Sequence, residues 1–125
     1  MSDRRRLLGQ KGEQLAMRYL AQKGYRIVEQ NTRTKQGEID LIVQDDKTLV
    51  FVEVRTRSSW AFGTAAESVT WKKKQKLRQL AMAYIQAQQQ PIASFRFDVV
   101  AIFHPGGNDR SEPSEPVIEH FMNAF

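Results

Sequence analysis

A chain of 125 residues is long enough for one compact α/β core and too short for two. With 41% hydrophobic and 26% charged residues it reads as a folded protein, not a disordered one, and the lack of cysteine excludes disulfides and thiolate metal sites. The formal charge of +5 is concentrated in residues 1–35 and 55–78, a distribution that suits either a polyanionic partner such as nucleic acid or a merely solvated face.

In chain order, residues 4–23 are predicted to be a helix, because Leu8, Gly12, Leu15, Ala16, Tyr19 and Leu20 recur at helical spacing before Gly24. A short strand is expected over Tyr25–Asn31, then a polar loop through Gly37. Residues 38–44 and 48–57 read as two strands around the turn Asp45-Asp46-Lys47. Thr70 is placed to cap a second helix, with Leu77, Leu80, Ala81, Tyr84 and Ile85 as its buried stripe and Pro91 as its end. Residues 95–103 form a strand, 105–116 a Pro/Gly/Ser-rich loop, and 117–121 a last edge strand. The order αβββαβ(β) implies one α/β domain over 1–125, with a mixed sheet flanked by helices and a core at about 9–103. No apolar run approaches the roughly 18 residues of a membrane span, and no secretory segment follows the basic N-terminus. The expectation is a cytoplasmic protein without a membrane partner.

The two central strands pair from their pattern alone. With paired positions summing to 93, Leu41 faces Val52 and Val43 faces Val50, and Ile39 would extend this aliphatic face opposite Val54. The same register sets Asp40 opposite Glu53 and Glu38 opposite Arg55. Two directly opposed carboxylates on a half-buried hairpin repel, and a shared proton, a cation or a bound metal must compensate. A hard divalent cation suits such acids, whereas the competing arrangement is an ion-pair network in which Arg55 neutralises Glu38 and Asp40. His104 and His120 read as unremarkable surface or edge residues, Asp98 as a structural partner of Arg96, and Asp45-Asp46 as turn chemistry.

The segments GEID (37–40) and VEVR (52–55) resemble the PD-(D/E)xK nuclease signature. With Gly12-Glu13, Ala16, Tyr19 and Leu20, FG at 62–63, Lys74-Gln75 and RFDVVAI (96–102), the chain resembles the bacterial YraN family of predicted endonucleases. That family is distantly related to archaeal Holliday junction resolvases. The resemblance spans about residues 9–103 and implies a restriction-endonuclease-like three-layer fold. It also implies a metal-dependent endonuclease that hydrolyses phosphodiester bonds, of branched or structured DNA rather than RNA, and a homodimer of the kind resolvases form. By position, Asp40 and Glu53 correspond to the metal-binding acids and Glu13 to the acid of the first helix, with Mg²⁺ or Mn²⁺ as the ion. Arg55 departs from the signature, which has lysine there. Arginine cannot accept a proton in a protein, so its role is to hold the phosphate, and activation of water falls to the metal.

The basic run at the start of the second helix supplies the expected nucleic-acid contacts: Lys72, Lys73, Lys74, Gln75 and Lys76, together with Arg57. Lys73 aligns with the buried stripe and points back toward the acids. Cations are unfavourable at a helix N-terminus unless a phosphate joins them, although a solvated helix start explains the run as well. Trp60, Phe62 and Trp71 fit loop or core anchors better than platforms for unpaired bases. Two rival functions remain open at this stage, a non-catalytic nucleic-acid-binding module and a scaffold whose basic face takes an acidic protein.

Overall fold

The computed structural model describes residues 2–57, 69–103 and 116–125. It contains two helices, α1 (Ser2–Gln22) and α2 (Trp71–Ala87), and five strands: β1 (Arg26–Thr34), β2 (Gly37–Asp45), β3 (Thr48–Arg57), β4 (Ser94–Phe103) and β5 (Val117–Phe121). The predicted element order, including the edge strand, is what is observed. Trp60, Phe62, Gly63 and His104 lie outside the described residues.

Helix α1 stops where expected. Gly24 takes φ +95°, which lets the Tyr25 N–H reach the Leu20 carbonyl at 3.0 Å and the Gly24 N–H reach that of Ala21 at 3.0 Å. Thr70 caps α2 by accepting the Lys73 N–H on its hydroxyl at 3.1 Å. Pro91 is not the terminator: α2 already ends at Ala87, where the cap Gln88 turns to extended backbone and bonds back to Ile85.

The strands lie in chain order, β1-β2-β3-β4-β5, in an open mixed sheet. Only β3 and β4 run parallel, and α2 lies in the crossover that such a pair requires. α1 covers one face, where Ala16 and Leu20 pack on Leu41, Val43, Val50, Val52, Val100 and Ile102. α2 covers the other, where Leu80 and Ala81 pack on Ile39, Ile42, Phe51 and Phe97. No described helix is long and apolar enough to cross a membrane.

Two local readings are corrected. β1 does not give way to a loop at Asn31 but continues to Thr34, because Thr32 and Thr34 pair with Ile39 and Gly37. The hairpin register summing to 93 holds from Asp45↔Thr48 to Leu41↔Val52. Beyond that, Ile39 packs with the α2-side residues while Val54 borders the α1-side core, so these two do not share a face. The strict alternation of β2 is broken at Asp40.

Candidate functional site

The break at Asp40 is where the site begins. Asp40 Oδ2 accepts the Val54 N–H at 2.9 Å, so a side chain replaces the main-chain partner just past the regular ladder. β1 is irregular at the same level. Its neighbours pair as Gln30↔Leu41 and Thr32↔Ile39, which sets Asn31 beside Asp40, and Asn31 holds a left-handed φ of 52°. With its amide nitrogen turned to the carboxylates, Asn31 donates to Glu13 Oε2 and Glu38 Oε1, each at 2.9 Å. Asn31 thus ties the first-helix acid to the hairpin. Nothing in the strand pattern singles it out beyond an asparagine at the end of an apolar run.

Glu53 lies one residue past the ladder on β3 and is only 6% exposed. Its carboxyl is pushed up to about 8, first by burial and then by the charge and hydrogen-bonding contact of Asp40. Lys73 and Arg55 offset this only in part. Its Oε2 accepts no hydrogen bond, and the buried Arg55 Nε donates none. Glu13 is also raised, by burial and then by Asp40 and Glu38, against the bond from Asn31. The three predicted acids are therefore neighbours in a chain, Glu13 to Asp40 to Glu53. Among the described residues, however, no three acid or histidine side chains converge as a ready-made ion cage. Glu38 does not meet Arg55 as predicted. Its charged partner is Arg33 on β1, at 3.5 Å, because the splayed hairpin turns it toward the edge strand.

Glu53, Arg55 and Arg57 alternate along a regularly paired strand, so they share the face that α2 covers. Lys73 reaches in from α2 and sets its Nζ 3.8 Å from Glu53 Oε2. Thr70, Lys72, Lys73, Gln75, Lys76 and Gln79 line a shallow groove of about 530 Å³ at the start of the helix. Lys74 is not among them; its ammonium stands 5.8 Å from the Phe125 ring on the other flank. Helix α2 carries five cations and no acid. The arrangement is a crowded pair of carboxylates with a cationic wall beside it.

The model of the uncharacterised protein family UPF0102 matches residues 12–102, from the α1 glycine beside Glu13 through most of β4. The chain belongs to the UPF0102 family. A UPF0102 protein of Pelotomaculum thermopropionicum is 46% identical over 125 residues, covering all of both chains. One of Nocardia farcinica is 43% identical over 118 residues, 94% of this chain and 88% of its own. One of Herpetosiphon aurantiacus is 45% identical over 126 residues, 98% and 96% respectively.

This UPF0102 chain holds a second polar cluster that its sequence disguised. Asp98 pairs with Arg96 as expected, at 3.0 Å, but His120 is no edge bystander. Its side chain is 2% exposed and its Nε2 lies 2.7 Å from Asp98 Oδ2. Lys23 donates to its Nδ1 at 3.0 Å, which leaves the ring proton on Nε2, facing Asp98. Trp71 is the reverse case: expected as an anchor, it is 74% exposed at the first position of α2.

Proposed function

We propose that this protein is a metal-dependent nuclease that hydrolyses phosphodiester bonds of nucleic acid, on a restriction-endonuclease-like arrangement of its mixed sheet and flanking helices. One observation carries the reading. Glu53 is a buried carboxyl with an unbonded oxygen, held largely protonated at neutral pH beside Asp40, and a divalent cation is the partner that relieves both acids at once. Asp40 and Glu53 would hold Mg²⁺ or Mn²⁺, with Glu13 reaching the same ion from α1. Bound there, the metal supplies a more acidic water and a polarised phosphate.

The chain's own residues do the rest. Arg55 shares the face of Glu53, and its guanidinium matches a phosphate in shape and charge. Lys73 stands 3.8 Å from Glu53 and offsets its raised value only in part, so its ammonium is placed to meet a scissile phosphate beside the acids. Lys72, Gln75 and Lys76 offer donors to neighbouring phosphates along the groove. Lys74 and Arg57, on the flank and at the strand end, add to the long-range field.

The test is a panel of branched, duplex and single-stranded substrates incubated with Mg²⁺, Mn²⁺ or EDTA. Cleavage is expected with metal only, and Asp40→Asn or Glu53→Gln should abolish it while the fold persists. A second reading has its own support: arginine at position 55 removes the signature lysine, and Lys73 gives Glu53 a cation from the chain itself at 3.8 Å. If wild type, Arg55→Lys and Arg55→Gln all bind the panel and none cleaves it, the protein is a binding module.

A further inference from the structure

Trp71 is the most exposed large apolar side chain among the described residues. An indole at the solvent end of a helix gains nothing from burial, and tryptophan is not a residue that helix starts favour. Its surroundings give it a use. It directly precedes Lys72, Lys73 and Lys74, and the first turn of α2 contains no acid. At 100° per residue, Trp71, Lys72, Gln75 and Gln79 fall on the outward side of α2, opposite the buried Leu77, Leu80 and Ala81. The cationic groove is lined by Lys72, Gln75 and Gln79 of that side together with Thr70, Lys73 and Lys76, and Trp71 stands next to Thr70 and Lys72 in the chain. An independent feature joins the groove to the acids: Lys73 lines it, and Glu53, nine-tenths buried, faces Lys73 at 3.8 Å with an Oε2 that accepts no hydrogen bond.

We infer that Trp71 is a stacking platform for an unpaired nucleobase, so that the substrate this site takes is a polynucleotide with a single-stranded stretch beside the bond to be cut. This rests on the phosphodiester reading of the Asp40–Glu53 site. The flat indole accepts any base, and the lysines hold the phosphates on either side of it. In a closed duplex the bases face inward and offer the indole no exposed ring, so duplex contacts use the lysines alone. Trp71 therefore discriminates strandedness, and the lysines supply sequence-independent affinity.

The experiment is binding in EDTA, where cleavage plays no part, followed by fluorescence anisotropy of labelled dT20, rU20, a blunt duplex and the same duplex with a dT tail. Wild type should prefer the tailed duplex and at least one single strand over the blunt duplex; the dT20 and rU20 arms identify the sugar. Trp71→Ala should weaken that preferred binding roughly tenfold or more and leave blunt-duplex affinity unchanged, while Trp71→Phe keeps most of the preference. Because Trp71 is exposed, both variants should melt like wild type. The inference is overturned if Trp71→Ala affects all nucleic acids alike or none, or if polyglutamate displaces the single strand as well as dT20 does. Failure of metal-dependent cleavage with this binding pattern intact would remove the nuclease reading and leave the stacking site standing.

Discussion

Glu53 makes the acid–base behaviour of the protein unusual at the scale of one residue. Its folded-state value of about 8 lies above the ordinary 4.5, so across that window the native state holds a proton that the unfolded chain has released. Unfolding free energy should then fall as pH rises from 4.5 to about 8, by up to about 1.4 kcal/mol per pH unit, and level off above. Glu53→Gln should flatten this slope and make the variant more stable than wild type at the alkaline end, as read by urea midpoints. On the proposed metal site, an ion binding Glu53 must displace that proton, so a Mg²⁺-induced rise in melting temperature should be larger above pH 8 than near pH 6, and absent in Asp40→Asn. A Mg²⁺ effect that ignores pH would place the ion elsewhere. On the proposed nuclease reading, Arg55 would act by charge and shape, not by proton transfer. Arg55→Lys should then retain or raise cleavage, and Arg55→Gln should lower the rate with little loss of binding if distal lysines carry the affinity.

At the scale of elements, α1 is held against β3 by the absence of a side chain. A methyl at Gly12 would sit 1.9 Å from Thr56 Oγ1, whereas one at Gly9 would meet nothing within 4 Å. Gly12→Ala should therefore push α1 off the sheet, cost roughly 1–3 kcal/mol and draw Glu13 away from Asp40. Gly9→Ala should instead stabilise by up to about 1 kcal/mol through helix propensity. Thermal melts of the pair decide it, and equal effects would contradict the close approach. The contrast also shows what was legible beforehand. The helical spacing places Gly12 and not Gly9 on the inner stripe, but only the packed strand shows how close the approach at Gly12 is. The β2–β3 register was readable because two runs of alternating aliphatic residues match in only one way, and the capping threonine and Schellman glycine of the helices are local signals. The parting at Asp40, the left-handed Asn31 and the burial of His120 left no trace, because each depends on a side chain bonding to a strand or helix distant in sequence. Trp71 was misjudged for the opposite reason: tryptophans are usually buried, and the rule has no knowledge of a helix end that faces solvent.

Across the whole molecule, Asp98 gathers four segments. Burial alone would raise its carboxyl, but bonds from His120, Arg96 and the Asn123 N–H overcome this and hold it below its usual 3.8. Arg96 extends the cluster to Asp45 at 3.1 Å and the Tyr25 hydroxyl at 2.8 Å. The stability this gives is present above the ordinary aspartate range and is lost as pH falls through the folded value. Asp98→Asn should blunt the loss of stability as pH falls below the ordinary aspartate value of 3.8. His120→Ala, which removes one of the bonds to a buried carboxylate that Arg96 and the Asn123 N–H still hold, should cost roughly 1–3 kcal/mol at neutral pH by denaturant titration. The chain-order sheet has a further consequence, in the time domain. Hairpin β2–β3, which brings Asp40 and Glu53 together, closes across a two-residue turn, but Lys73 reaches them only once the crossover has docked and β4 has paired in parallel. If the hairpin closes first, the acids meet before Lys73 arrives, and their repulsion is offset only by Arg55 of the same strand. Low pH, which protonates Glu53 early, should speed the folding limb of the chevron, whereas Lys73→Gln should act almost wholly on unfolding.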